Sequence, residues 1–134
     1  MLLMHKSPTL TVDAVILKDR EIVLIQRKKE PFRGQYALPG GFVEYGETAD
    51  AALRREVLEE TGLVVEVQSL VGVYSDPRRD PRGHVVSVVF TAAIVGGALA
   101  GGSDAAKAML WDVTKLPPLA FDHAQVIRDA LRHR

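Results

Sequence analysis

Residues 40–63 read GGFVEYGETADAALRREVLEETGL, a glycine pair followed by a short loop and a helix that carries several carboxylates. Thr48 is predicted to cap the start of this helix, because its hydroxyl can accept a hydrogen bond from a free amide of the first turn. Gly62 is predicted to cap its end, where the chain must leave the helix with positive φ. The stretch therefore predicts a helix between these two residues.

Three carboxylates of this helix share one narrow stripe. At about 100° per residue, Glu56, Glu59 and Glu60 fall close together, and Leu53 and Val57 lie beside them on the face predicted to be buried. Like charges at these spacings repel, and no Lys or Arg lies among them on the stripe. A solvated acidic face is the common alternative for REVLEE taken alone. A bound cation is the other interpretation, and oxygen ligands without Cys or His suit Mg²⁺ or Mn²⁺.

A longer set of fixed positions surrounds this stripe, and it has internal gaps that make it far more specific than a short glycine motif. Its members are Gly41, Glu47, Arg55, Glu56, Val57, Glu59, Glu60, Gly62 and Leu63. All of them match the Nudix box, so the chain resembles the Nudix hydrolases. The resemblance implies an α/β fold, the Nudix α/β/α sandwich with a mixed β-sheet between helices.

The resemblance also implies roles for individual residues. Glu56 and Glu60 would be the principal metal ligands and would act in catalysis. Glu59 would be a further ligand or the residue that orients water. The carbonyl of Gly41, or that of Gly40, would be a secondary ligand.

Other positions are implied to support this centre. Glu47 and Arg55 would brace the loop against the helix through an ion pair. Asp104 is placed similarly to a distal acidic residue that some family members use as a ligand or base. A metal-held water would then attack a diphosphate directly. The chain has no Cys and no obvious Ser with an activating base, so we expect no covalent intermediate.

Length and charge limit the classes of function. With 134 residues, the chain is expected to form one domain spanning residues 1–134. Its net charge is zero, with 17 residues of each sign, so no overall field would recruit nucleic acid or a membrane. The start, MLLMHKSP, is too short an apolar run for a signal peptide, and no stretch approaches the ~20 apolar residues of a membrane span. A cytoplasmic location is therefore expected.

The rest of the chain predicts mostly strands. The β-branched and apolar patterns predict strands at 10–17, 21–28, 63–73, 84–95 and 105–112 and a last helix at 122–133. The first two strands should form a hairpin. The longest apolar run, HVVSVVFTAAIV, is predicted to be a buried strand. Asp122 is predicted to be the N-cap of the last helix.

Several cations lie near the predicted strand ends. Arg27 ends the second strand and either reaches a phosphate or is a surface charge. The loop YSDPRRDPRG contains Arg78, Arg79 and Arg82, which would form a phosphate clamp or a solvated connection. His84 follows the loop and is either a ligand contact or a structural residue.

Beyond the box, GVYSDPRRDPRGHVVSVVF and AFDHAQVI resemble the ADP-ribose pyrophosphatase branch of the family. Pro77, about fifteen residues after the box, agrees with that branch. The implied reaction converts ADP-ribose and water into AMP and ribose 5-phosphate. The implied substrate-binding residues are Arg27, Arg78, Arg79, Arg82 and His84 for phosphate or ribose, and Tyr36 or Phe32 for adenine.

Two alternatives remain open from the sequence. One is a Nudix enzyme that cleaves nucleoside triphosphates, including oxidised ones. This alternative is open because both groups of enzymes have the same box and differ in the loops that select the substrate. The other is a non-catalytic ADP-ribose sensor. The family also implies a homodimer that binds a small nucleoside diphosphate derivative.

Overall fold

The computed structural model describes residues 6–100 and 105–132. Along the chain, its elements are β1 (Thr9–Lys18), β2 (Glu21–Arg27), β3 (Tyr36–Ala37), β4 (Gly40–Phe42), α1 (Ala49–Thr61), β5 (Leu63–Tyr74), β6 (Val85–Gly97), β7 (Ala105–Asp112) and α2 (His123–Arg132). The predicted strands and helices are all present, with bounds shifted by no more than a few residues.

Helix α1 begins and ends where its sequence predicts. The Thr48 hydroxyl accepts from the Ala51 amide at 3.1 Å. At the other end, Gly62 has φ 78°, and its amide donates to the Leu58 carbonyl at 3.0 Å. Both caps satisfy backbone groups that the helix leaves unpaired at its ends.

The strands form one mixed seven-stranded sheet with the path β3-β2-β1-β6-β5, while β4 pairs with β1 and β7 with β2. β1 and β6 are parallel, and the other pairs are antiparallel. The predicted hairpin of β1 and β2 is confirmed only next to its turn, at Leu17↔Ile22 and Lys18↔Glu21. Earlier in β1, residues 11–13 pair with β4 instead, and β2 pairs with β3 and β7.

The two helices pack on opposite faces of this sheet, because successive strand residues point to opposite sides. Val12 and Ile16 of β1 lie in a core with Leu53 of α1. Val15 lies in a second core with Val126 of α2. The predicted α/β/α sandwich is confirmed. Neither helix of the described residues is long and apolar enough to cross a membrane.

The prediction of a wholly buried strand is wrong for the last part of β6. Ala92 is its last residue in either core. Beyond it, Ile94 and Val95 are 37% and 54% exposed. β6 continues past the residues that pack against the helices. The length of its apolar run therefore did not predict how far along the strand the side chains are buried.

Candidate functional site

A cavity of about 410 Å³ lies where β1, β2 and β4 meet α1. Its lining carries both carboxylates and guanidinium groups. The acidic residues on the lining include Asp13, Glu56 and Glu60, and the arginines are Arg27, Arg79 and Arg82. Helix α1 supplies two of these carboxylates from successive turns, whereas the arginines come from β2 and from the loop between β5 and β6.

The carboxylates of α1 lie against the glycine pair of β4. Glu60 accepts from the Gly40 amide at 2.8 Å. Burial raises the pKa of Glu60 to about 8, and the nearby charges of Glu56 and Asp13 add to the effect. Burial also raises the pKa of Glu56. A Cβ on Gly41 would overlap the Glu56 carboxylate, so a larger residue here would push that carboxylate out of its present position.

Arg55 connects the box loop to the helix. Its guanidinium donates to Glu47 at 2.7 and 3.0 Å, to Glu56 at 2.7 Å and to the Phe42 carbonyl at 3.1 Å. The hydrogen bond from Arg55 lowers the pKa of Glu47 to about 2. The structure thus contains the ion pair that the sequence predicts between loop and helix.

The same arginine corrects one premise of the sequence argument. Arg55 Nη1 lies 2.7 Å from Glu56 and 3.6 Å from Glu59, so a cation does lie beside the acidic stripe. Arg55 and Glu56 are neighbours on the helix and point in different directions. The long side chain of Arg55 nevertheless reaches around the helix to the Glu56 carboxylate. Glu59 itself is 57% exposed at the side chain and is not part of the cavity lining.

The acidic side of the cavity fits a hard divalent cation by its chemistry. Glu56 and Glu60 are two desolvated carboxylates that repel each other, and the Gly41 backbone lies beside one of them. Such oxygen donors suit Mg²⁺ or Mn²⁺. In the described part of the chain, no three acidic, His or Cys side chains converge tightly enough to hold an ion as they stand. Asp104 lies outside the described residues.

Two of the arginines that line the cavity are fixed by carboxylates. Arg79, with a side chain 4% exposed, donates to Asp122 at 2.6 and 2.9 Å. Arg82 donates to the buried Asp80 at 2.7 Å. The Asp122 carboxylate therefore binds Arg79, and the prediction that it serves as the N-cap of α2 is wrong for its side chain.

Arg27 is held by different contacts. Its Nε donates to the Pro31 carbonyl at 2.7 Å, and its guanidinium carbon lies 5.0 Å from the centre of the Phe121 ring. Burial lowers the pKa of Arg27, as does the nearby charge of Arg82. The fold thus keeps two mutually repelling cations on one cavity wall.

The other candidate residues lie elsewhere. Arg78 pairs with Asp76 in the exposed loop and does not line the cavity. His84 is exposed, with Nε2 2.9 Å from the Ser75 carbonyl. Tyr36 packs edge-on against Trp111 at 5.0 Å in the second core.

A buried polar cluster on the cavity floor was not predicted. Asp13 accepts from the Ser87 hydroxyl and lies 3.8 Å from His123 Nε2. The Leu38 amide donates to His123 Nδ1 at 3.0 Å, so the neutral ring carries its proton on Nε2. Burial lowers the pKa of His123, which favours this neutral form. The acidic residue inside the apolar run TVDAVIL was the one available signal.

Known proteins resemble this chain over nearly its whole length. The ADP-ribose pyrophosphatase of Methanocaldococcus jannaschii is 54% identical over 129 residues, which cover 96% of this chain and 76% of that protein. The ADPR responsive transcriptional repressor NtrR of Acinetobacter baylyi is 34% identical over 94% of this chain, which spans only 54% of the repressor.

A solved structure agrees with this similarity. The NUDIX domain of Shewanella oneidensis NrtR, complexed with ADP ribose, has a TM-score of 0.82 and 32% identity, covering 96% of this chain and 90% of that chain. The NUDIX domain model matches residues 7–130. With this match and with its carboxylates and glycines placed as described, the chain belongs to the NUDIX family.

Proposed function

We propose that this protein is a metal-dependent pyrophosphohydrolase that converts ADP-ribose and water into AMP and ribose 5-phosphate. The cavity carries this proposal, because carboxylates of α1 and the guanidinium groups of Arg27 and Arg82 line the same space of about 410 Å³. That volume falls in the range of small-ligand sites. The similarity to the archaeal ADP-ribose pyrophosphatase supports the choice of substrate.

Glu56 and Glu60, with the Gly41 carbonyl, would hold a divalent cation, either Mg²⁺ or Mn²⁺. When bound, it would neutralise phosphoryl oxygens and acidify a water molecule. Glu59 lies at the exposed edge of the same stripe and would complete the ligand set or orient the water. Arg55, bonded to Glu56 in this structure, would oppose the rise in the pKa of that carboxyl that burial causes. A catalytic role for Asp104 stays a prediction.

The arginines would bind the other side of the diphosphate. A guanidinium presents several donors to phosphoryl oxygens and remains charged at neutral pH. Arg27 and Arg82 both line the cavity, and the Arg82 side chain is 40% exposed although it pairs with Asp80, whereas the Arg79 side chain is buried against Asp122. Water then adds across the diphosphate, and each product leaves with one phosphate. Roles for Arg78, His84 and Tyr36 in substrate binding stay predictions.

A substrate panel with each metal tests this function. We expect the highest kcat/KM with ADP-ribose when it is compared with nucleoside triphosphates, oxidised ones included, in Mg²⁺ and in Mn²⁺. If ADP-ribose were hydrolysed more slowly than every triphosphate, the assignment would be overturned in favour of a triphosphate pyrophosphatase.

The similarity to the repressor family supports a second candidate, an ADP-ribose-binding domain without turnover. Calorimetry with ADP-ribose, followed by analysis of the products, separates the two functions. Binding without release of AMP would identify a sensor.

We further propose a homodimer of single-domain chains that acts on a small molecule in the cytoplasm, with neither nucleic acid nor a membrane as partner. β5 is the last strand on one side of the sheet path. Leu70 and Val73 on this strand are 58% and 56% exposed, which supports an interface along it.

A further inference from the structure

Four consecutive residues, AFDH at positions 120–123, lie where the chain enters α2, and two of them, Phe121 and His123, line the cavity. The Ala120 amide donates to the Tyr36 carbonyl at 2.8 Å. Two of the others use their side chains: Asp122 binds Arg79, and His123 accepts from the Leu38 amide. The third side chain, that of Phe121, makes no hydrogen bond and faces cations instead.

Phe121 holds an unfavourable backbone conformation. Its φ is 54°, in the left-handed region that bulky residues rarely adopt. Phe32 has φ 64° and meets Phe121 edge to face, with ring centres 4.9 Å apart. Strained residues of this kind persist where the surrounding structure fixes them, and they concentrate at functional sites. The strain thus indicates that the position of the Phe121 ring matters.

The Phe121 ring contacts two of the three arginines that line the cavity. The guanidinium carbon of Arg27 is 5.0 Å from its centre and that of Arg82 is 5.6 Å away. Arg82 also lies 5.2 Å from the Phe42 ring. The negative face of an aromatic ring attracts cations, and it does so more strongly where water is excluded. Phe121 therefore offsets part of the repulsion between two guanidinium groups that point into one cavity.

We propose that Phe121 is a positioning residue, which holds Arg27 and Arg82 together so that both contact the diphosphate of the substrate. The proposal rests on the proposed function for the identity of that substrate. Phe121 also packs in a small apolar cluster with Ile25 and Ala120. A purely structural role there would change stability without changing affinity for a diphosphate.

The test replaces the ring and keeps the backbone strain. Leu and Tyr are both non-glycine residues, so Phe121→Leu and Phe121→Tyr retain the cost of the left-handed conformation. We expect Phe121→Leu to raise KM for ADP-ribose roughly tenfold and to leave kcat within about twofold, since it removes cation–ring attraction in the bound ground state. Phe121→Tyr should restore KM, because it keeps the ring.

Two further variants test whether the rise in KM depends on the number of arginines that the lost ring contacts. Phe42→Leu removes a ring that contacts Arg82 alone, so its rise in KM should be smaller than that of Phe121→Leu. Phe90→Leu removes a ring that packs against the first core, away from the cavity lining. It should lower the melting temperature without changing KM. An unchanged KM in Phe121→Leu, or a loss confined to kcat, overturns the proposal.

Binding of imidodiphosphate with Mg²⁺, measured by calorimetry, separates this proposal from the proposed function. The probe contains the diphosphate group alone and requires no turnover of ADP-ribose. We expect roughly tenfold weaker binding by Phe121→Leu than by the wild type, even if ADP-ribose proves not to be the substrate. Equal affinities, including no measurable binding by either protein, overturn the role of Phe121.

Discussion

Glu47 and Glu60 belong to one sequence motif, yet their pKa values move in opposite directions. The pKa of Glu47 falls to about 2 because its carboxylate accepts from Arg55. The pKa of Glu60 rises to about 8 because burial disfavours its charge, and the Gly40 amide and the charge of Arg27 offset only part of this rise. Identical side chains thus serve two purposes: the first fastens the loop, and the second is available to a cation.

The substitution Glu60→Gln tests the second purpose. Glutamine keeps the shape and can still accept from the Gly40 amide, but it removes a charge from the proposed metal site. We expect kcat to fall by roughly two orders of magnitude or more, with the fold intact by circular dichroism. Glu66→Gln, on the exposed side of β5, is the matched control and should keep wild-type turnover. Near-normal turnover of Glu60→Gln with Mg²⁺ would show that Glu60 is not a ligand.

The same variant predicts a change in stability with pH. Because the folded pKa of Glu60, about 8, lies above the ordinary glutamate value of 4.5, the folded protein binds this proton more tightly than the unfolded chain. In metal-free buffer, the free energy of unfolding of the wild type should therefore fall as the pH rises from about 5 to 8. Glu60→Gln should lack this decline and be more stable by at least about 1 kcal/mol at pH 8. Thermal unfolding with EDTA measures the difference, and parallel pH profiles would contradict it.

At the scale of elements, one ion pair joins the loop of residues 75–84 to the start of α2. The Arg79 side chain is almost fully buried. Its positive charge is therefore stabilised by the two hydrogen bonds from its guanidinium to Asp122 rather than by water. This link fixes the loop that also carries Arg82. The position of α2 on the sheet thus helps to set the basic wall of the cavity.

Asp122→Asn should destabilise the protein by about 1–3 kcal/mol, because it leaves a buried guanidinium without its counter-charge. Asp50→Asn is a matched control, since Asp50 also lies 2.6 Å from an arginine, Arg54, but both side chains are more than half exposed. We expect a change within about 0.5 kcal/mol for that exposed pair. Urea unfolding measures the free energy of unfolding of both variants. Equal losses would mean that the buried Arg79–Asp122 pair stabilises the protein no more than the exposed Arg54–Asp50 pair does.

At the scale of the whole molecule, a chain of zero net charge contains a cavity lined by several charges of each sign. Its glutamates come mainly from α1, and its arginines come from β2 and the loop before β6. A lining of both signs matches a ligand that brings a cation together with phosphate oxygens. Overall charge alone could not have indicated it.

The proposed dimer is also tested at this scale. Leu70→Asp places a charge among the exposed apolar side chains of β5, and burying an unpaired charge opposes association. Light scattering after size-exclusion chromatography should show twice the chain mass for the wild type and one chain mass for the variant. Tyr45→Asp, at a fully exposed loop residue, should remain dimeric. A monomeric wild type would contradict the proposal.

The sequence determined the features that depend on near neighbours. Helix α1 and its caps at Thr48 and Gly62 follow from helical spacing and from the capping preferences of single residues. The strand positions followed from runs of β-branched residues. These patterns are readable because hydrogen bonds within a helix and side-chain alternation in a strand act over a few residues.

Tertiary structure alone decided which distant groups meet. The bond between Arg79 and Asp122 spans 43 residues, that between Ser87 and Asp13 spans 74, and that between Leu38 and His123 spans 85. The pairing of β1 first with β4 and then with β2 is of the same kind. Such contacts depend on how whole elements pack together, and the energy of packing is a property of the assembled sheet and helices rather than of any short stretch of sequence.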